Sequence, residues 1–440
     1  LLHAAGLASG GGNMRPKGGE TMEIKASKLK ELMELVKPAI ARRPTAKSVT
    51  CLSLGNGKAV ATDLETMIIA NVPEAEAPML LPYSQIAEML KYVPGHETLK
   101  IEQKGKAVSL SWNEGSASYP TEDFADFPVL PAMTARAEEL VDGDTLIAAV
   151  KSVLPYTAGD DTRPTLSGVT LMLGSPTSVA AGDGFRMAYQ AMGILFPLEE
   201  KVIVPARSVA ILEHVFMKTP RTPPVTSDSL IKVVIARRQL RLSLIEPNKL
   251  RLDFGTSASV VINLIQGQPP AWVSLIPKGE PILQSQLFAP QLEAAVKRVG
   301  AITRKGKDGH EAVRLQFLTN GKLEISACVE DQEISSSIDP VTTMGEVTKI
   351  AFNIRYLLDV LNGKTGIITF SRYTDTGPAV FEYQKLPKVL IMPMQVSWPG
   401  DTPPPASAEP TNETSDAEPA STSEEETSET ETGEEETVTE

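Results

Sequence analysis

Leu146-Ile147-Ala148-Ala149-Val150-Lys151-Ser152-Val153 carries apolar residues at i, i+3, i+4 and i+7, the spacing of one face of an α-helix. The spacing occurs also at Leu29, Leu32, Met33 and Val36, and at Leu292, Ala295, Val296 and Val299. The second and third copies share a basic residue inside the window, Lys151 and Lys297. A pattern returning at such long intervals predicts structural units of related build rather than one large core.

The segments downstream of each helix repeat as well. Apolar segments lead to Ala61-Thr62-Asp63-Leu64, to Ala181-Gly182-Asp183-Gly184 and, more loosely, to Ala327-Cys328-Val329-Glu330. A second apolar strand then feeds a second short helix: Leu80-Leu81-Pro82 before Ile86, Met89, Leu90 and Val93; Val202-Ile203-Val204-Pro205 before Val209, Leu212 and Phe216; Ile350-Ala351-Phe352 before Leu357, Leu358 and Leu361. Alternating runs flank turn residues in each unit. Leu99, Ile101 and Val108, Leu110, Trp112 flank Lys104-Gly105; Leu240, Leu242, Leu244 and Leu250, Leu252, Phe254 flank Pro247-Asn248. Val313, Leu315, Phe317 and Leu323, Ile325, Ala327 flank Asn320-Gly321, a pair suited to the positive φ values of a tight hairpin.

The predicted fold class is therefore α+β: three repeated domains of antiparallel sheet, each with two helices on one face. The expected boundaries are 22–134, 135–279 and 280–397. Residues 1–21, rich in Gly and lacking the apolar core of a secretory signal, are expected to form a leader outside the fold. Residues 398–440 are mainly Pro, Ser, Thr and Glu and are expected to be disordered, because such a segment buries too little surface to offset its ordering.

The net charge of −13 belongs to that tail. Residues 401–440 hold 14 acidic and no basic residues, which leaves 42 basic against 41 acidic, or +1, in the remainder. Basic residues recur on the predicted helices: Lys28, Lys30, Lys37, Arg42 and Arg43; Lys151, Arg163 and Arg207; Lys297, Arg298, Arg304, Lys305 and Lys307; Arg355 and Lys364. Interspersed Glu31, Glu34 and Asp359 leave two readings open, ordinary solvated faces or a surface for nucleic-acid phosphates.

Catalytic patterns are missing. His3, His96, His214 and His310 lack ligand spacing, and Gly10-Gly11-Gly12 lacks the Lys-Ser/Thr of a phosphate loop. Two cysteines, Cys51 and Cys328, are too few for a disulfide scaffold and read as buried thiols. Asp63 and Asp183 occupy equivalent places in two units, which favours a turn role. No apolar run reaches the length of a membrane span.

The ordered set of motifs resembles a known family. It comprises Asp126-Phe127-Pro128; Thr162-Arg163-Pro164-Thr165-Leu166-Ser167-Gly168-Val169; Ala181-Gly182-Asp183-Gly184-Phe185-Arg186-Met187-Ala188; Val202-Ile203-Val204-Pro205-Ala206-Arg207; Tyr356-Leu357-Leu358-Asp359-Val360-Leu361; and Leu390-Ile391-Met392-Pro393-Met394. In this order the set is similar to the bacterial DNA sliding clamp, the β subunit of DNA polymerase III, over residues 22–396.

The resemblance implies a non-catalytic processivity factor with no cofactor and no metal. A head-to-tail homodimer would close into a ring around double-stranded DNA, held without sequence reading. Implied partners are the replicative DNA polymerase catalytic subunit, the clamp loader, and repair and translesion polymerases that present short peptides; the implied location is cytoplasmic, on the nucleoid. The carried-over peptide pocket comprises Leu166, Gly184, Phe185, Arg186, Met187, Pro270, Leu275, Pro378, Ala379, Leu390, Ile391, Met392, Pro393 and Met394. The carried-over DNA contacts are Arg43 and Arg163, joined by Lys151, Arg207, Lys297 and Arg298 from helix position.

The chain departs from the family pattern in places. Gly182 stands where Thr is usual, Ser274 where an Arg at the pocket rim is common, and residues 217–229 read as a loop elaboration. Two other readings are a clamp-like adaptor without DNA retention and a metal-dependent hydrolase using Asp160, Asp161 and Asp183. The acidic tail is expected to compete with DNA phosphates for the basic hole, or to repel DNA from the outer face. Deleting residues 400–440 should therefore speed loading onto DNA at low salt and matter less at high salt; a loading rate at low salt unaltered by the deletion would count against it.

Overall fold

The computed structural model describes residues 21–41, 44, 46–160, 162–219, 238–303, 311–329, 332–384 and 386–396. Residues 1–20 of the expected leader, Arg42, Arg43, Asp161, most of the predicted loop elaboration, residues 304–310 with three of the basic residues and His310, and the acidic tail lie outside the described residues, whereas Thr21 belongs to the first strand.

Each of three lobes follows one order of elements. The first has β1 (Thr21–Lys25), α1 (Ala26–Val36), β2 (Cys51–Gly55), β3 (Lys58–Thr62), β4 (Thr66–Asn71), β5 (Met79–Pro82), α2 (Tyr83–Leu90), β6 (Thr98–Lys104), β7 (Ala107–Trp112) and β8 (Gly115–Pro120). The second has β9 (Ala135–Asp142), α3 (Gly143–Val153), β10 (Gly168–Leu173), β11 (Ser178–Gly182), β12 (Arg186–Ala191), β13 (Glu200–Pro205), α4 (Ala206–Lys218), β14 (Gln239–Ile245), β15 (Lys249–Phe254) and β16 (Ala258–Asn263). The third has β17 (Leu283–Phe288), α5 (Ala289–Thr303), β18 (Ala312–Phe317), β19 (Leu323–Val329), β20 (Gln332–Ile338), β21 (Thr342–Gly345), β22 (Lys349–Asn353), α6 (Ile354–Leu361), β23 (Ile367–Arg372), β24 (Ala379–Tyr383) and β25 (Leu386–Ile391). The short β21, which has no periodic signal in the sequence, pairs with β17.

Sheets cross the lobe boundaries. Strands β5-β2-β3-β4 of the first lobe continue into β16-β15-β14-β9 of the second, joined by Ile68↔Val260 and its neighbours. Strands β13-β10-β11-β12 continue into β25-β24-β23-β17-β21, joined by Met187↔Leu390. The outer sheets, β1-β6-β7-β8 and β20-β19-β18-β22, have four strands each.

Alternation along each strand sorts side chains to two faces. One face of every sheet joins the buried sides of all six described helices in a continuous core that includes Leu29, Leu146, Leu292, Ile68 and Phe370. Smaller apolar clusters cover the opposite face at the two seams. Pro82 and Pro205 end β5 and β13 and hand the chain directly to α2 and α4. Asp142 caps α3, its Oδ1 accepting from the Asp144 N–H at 3.1 Å and the Thr145 N–H at 3.4 Å.

Two sequence expectations change in detail. The Asn320-Gly321 turn has positive φ at Gly321 but not at Asn320, and the Gly321 N–H reaches Leu318 O at 3.0 Å, giving a longer loop than a two-residue hairpin. Met217, expected in a loop, belongs to the last turn of α4.

Polar contacts tie the first two lobes together beside the seam. The Thr66 and Ser208 hydroxyls meet at 2.6 Å in a buried pair. His214 Nε2 donates to Glu34 O at 2.7 Å, and Arg207 Nη2 lies 2.9 Å from Asp63 Oδ2. Ser208→Ala should leave the Thr66 hydroxyl buried without its partner and cost about 1–3 kcal/mol in urea unfolding of the full chain. Adding Thr66→Val should recover part of that loss, a coupling that a double-mutant cycle reads directly.

Candidate functional site

The seam between β12 and β25 contains most of the predicted pocket motif, and strand alternation divides it. Met187 and Leu390 face outward and pack with Met172, Ala180, Trp272 and Val380, against which Leu166, Tyr189, Ile276 and Tyr373 lean. Ala379 and Ile391 point to the opposite face and belong to the helix-side core. A contiguous motif on a strand cannot line a single surface, because neighbouring side chains leave on opposite sides. The expectation that all these residues line one pocket is corrected accordingly.

The segment linking the second and third lobes crosses this seam. Its short 3₁₀ turn, Trp272–Leu275, buries Trp272 and exposes Val273 and Leu275. Trp272 Nε1 donates to Thr170 Oγ1 at 2.9 Å, so the buried indole N–H is satisfied. Phe185 and Met392 are also exposed, and the Met392 N–H donates to Phe185 O at 2.8 Å. The result is an outward apolar surface with a Trp and Met floor and exposed Leu275 and Met392 beside it. Pro270 and Pro378 are half-buried on the segments that border this surface, while Pro393 and Met394 follow β25, Met394 bonding back to Ala351 O at 2.8 Å.

Trp272 belongs to no motif that sequence reasoning singled out, although it lies between Pro270 and Leu275 of the carried-over pocket. It also accounts for Gly182: a Cβ there would sit 2.8 Å from Trp272 Cζ3, too close for any larger residue without movement of the ring. The two positions form one feature. Gly184 is restricted by a second contact, since a Cβ there would lie 2.5 Å from Arg163 Nη1.

Arg186 leaves β12 on the helix side, away from the outward apolar surface. Its Nε donates to Asp183 Oδ2 at 3.0 Å, its Nη1 to Asp359 Oδ2 at 2.5 Å, and its Nη2 to Pro155 O at 3.2 Å. The guanidinium lies 4.4 Å from the Tyr356 ring centroid and 5.3 Å from that of Tyr156. Burial pushes the Tyr156 phenol up to about 12, so this partner stays neutral. Phe185 stacks on Tyr356 at 6.5 Å between centroids. Arg186 thus locks the second lobe to α6 of the third.

Comparison with known proteins agrees with this architecture. Residues 274–394 match the family model described as DNA polymerase III beta subunit, C-terminal domain. The beta sliding clamp of Synechococcus elongatus is 24% identical over 342 residues, covering 76% of this chain and 85% of that protein. That of Escherichia coli strain K12 is 25% identical over 344 residues, covering 76% and 87%. The crystal structure of the DNA polymerase III beta subunit of Thermotoga maritima superposes with a TM-score of 0.72 at 21% identity, covering 86% of this chain and all of that one. A Pseudomonas aeruginosa sliding clamp bound to griselimycin gives the same score, identity and coverage. The chain has the fold of these sliding clamps.

On this fold the predicted DNA contacts are dispersed. Lys151 pairs with Glu213 at 2.5 Å, Lys297 with Glu293 at 2.6 Å and Arg207 with Asp63 at 2.9 Å. Arg298 donates to Ser336 Oγ at 2.9 Å, Arg163 packs on Gly184, and Arg43 lies outside the described residues. Among the described residues the helix surfaces therefore carry mixed charge rather than a continuous basic stripe.

The described carboxylates of the hydrolase reading are engaged locally. Asp183 Oδ1 accepts the Phe185 N–H at 2.9 Å and the Arg186 N–H at 3.0 Å; Asp63 Oδ1 does the same for Glu65 and Thr66 at 3.1 and 2.8 Å. Both stabilise equivalent turns. Asp160 Oδ1 accepts from Thr162 Oγ1 at 2.5 Å on an exposed loop.

Replacing Arg186 by Leu should cost the clamp fold about 3 kcal/mol, because its partners Asp183 and Asp359 remain without the guanidinium. Asp359→Asn, at the half-exposed end of the same pair, should cost no more than about 1 kcal/mol. Urea unfolding monitored by circular dichroism separates the two.

Proposed function

We propose that two copies of this chain close head to tail around duplex DNA and act as a sliding clamp for the replicative polymerase. The observation that carries this reading is the repeated seam. β4 and β12 occupy equivalent places in their lobes, and each pairs with an equivalent strand of the next lobe, β16 or β25. The third member of the first set is β20 and the third member of the second is β8; each ends its sheet within the chain. Pairing β20 of one copy with β8 of another extends the same rule and satisfies both edges. Applied twice, it closes a dimer, as a heterologous contact does when its rotation closes.

The helices would line the opening of such a ring. Their cations, many already paired with carboxylates, make few and weak phosphate contacts, which suits sliding without sequence preference. Retention is then topological, and processivity follows from effective concentration: a tethered polymerase rebinds its primer end before it can diffuse away. The chain forms and breaks no covalent bonds in this role. The outward apolar surface at the second seam takes short peptides from the polymerase catalytic subunit, the clamp loader, and repair and translesion polymerases. Its Met-rich lining suits several ligands, because thioether side chains repack readily. No helix among the described residues is long and apolar enough to cross a membrane; a role on DNA places the chain in the cytoplasm, at the nucleoid.

The test uses the full chain. Sedimentation should give the mass of two chains. Protein loaded on nicked circular DNA should remain through a high-salt wash and leave once the circle is cut. A monomer at micromolar concentration, or retention on the cut DNA, would overturn the reading.

A further inference from the structure

The first seam is built like the second but lined differently. The connector between the first and second lobes crosses β4 and β16 and buries Phe127 against Met67, Ile69 and Val261. Trp272 holds the equivalent place against β12 and β25. Beyond Phe127, Val129 is 90% exposed and Leu130 is 38% exposed. Cavities of about 410 and 400 Å³ meet along this connector, sharing Lys58 and Leu130. A third, of about 190 Å³, lies on its other flank beside Lys249.

Charge distinguishes this trough from the apolar surface at the second seam. Lys58, Arg241 and Arg251 line the cavity of about 410 Å³ with a single carboxylate, Asp253. Asp253 is held by Arg251 at 2.8 Å, and Arg241 reaches out to Glu138 at 2.5 Å. Lys58 is exposed on β3 at the point where two cavities join. The lining thus has excess positive charge beside uncovered aliphatic side chains.

We propose that the first seam is a second docking groove, for an extended acidic peptide of another protein that alternates carboxylates with aliphatic side chains. The carboxylates meet Lys58, Arg241 and Arg251, while the aliphatic groups lie against Val129 and Leu130. The groove is separate from the second-seam surface, so one chain can hold two partners at once. Charge complementarity selects the ligand: a neutral or basic peptide gains nothing from these side chains and would leave the cations without new partners.

The probe is a fluorescein-labelled decapeptide of alternating Asp and Leu, titrated into the full chain and read by anisotropy, with an alternating Lys and Leu peptide as control. The acidic probe should bind saturably and weaken with salt. Lys58→Glu and Arg241→Gln change exposed side chains outside the core and should each weaken it by about tenfold. Met392→Ala, at the second seam, should leave its affinity unchanged. Three results would overturn the proposal: no saturation below about 1 mM, equal binding of the basic peptide, or loss of binding in Met392→Ala with Lys58→Glu unaffected. The last of these would assign the probe to the second seam and leave the clamp reading intact.

Discussion

An exposed strand edge presents backbone N–H and C=O groups that must find partners, and most of this molecule is organised by how that demand is met. The chain meets it twice by pairing one lobe with the next, β4 with β16 and β12 with β25. Those pairings make the sheets continuous, place small apolar clusters on the face away from the helices, and leave the linking segments to cross the seams. The location of the outward apolar surface follows from backbone hydrogen bonding before any specific side chain is considered.

The two seams are secured by different chemistry. Between the first and second lobes, a buried hydroxyl pair and an ion pair with a half-exposed Arg207 bridge the boundary. Between the second and third, a nearly buried Arg186 gathers two carboxylates, a carbonyl and two aromatic rings. Charged partners in a poorly solvated site make stronger and more geometrically demanding contacts than hydroxyls do. The second junction accordingly concentrates its polar contacts on one charged side chain, and it is the one that underlies the apolar surface.

The repeat is legible in the sequence because helix spacing and strand alternation survive when identities drift. Leu29, Leu146 and Leu292 all lie in the helix-side core, and the Asp63 and Asp183 turns are equivalent in atomic detail. Contiguous motifs are less informative about the site. Their residues fall on both faces of a strand, so Arg186, Ala379 and Ile391 turn away from the surface that Met187 and Leu390 form. Trp272 and Val380 escape sequence reasoning for the complementary reason: they come from the linking segment and a neighbouring strand, and three-dimensional adjacency leaves no trace in local spacing. The added β21 has little apolar content and four exposed residues, so no periodic signal could announce it.

The end strands β8 and β20 differ in sequence and belong to different lobes. An annulus joined through unlike ends has its only symmetry axis running through the aperture, so its front and back are chemically distinct. Every copy of a given docking surface then opens toward the same side. Proteins seated there would share one orientation relative to the 5′ and 3′ ends of a threaded strand, and polarity would be conferred on the complex by protein geometry alone.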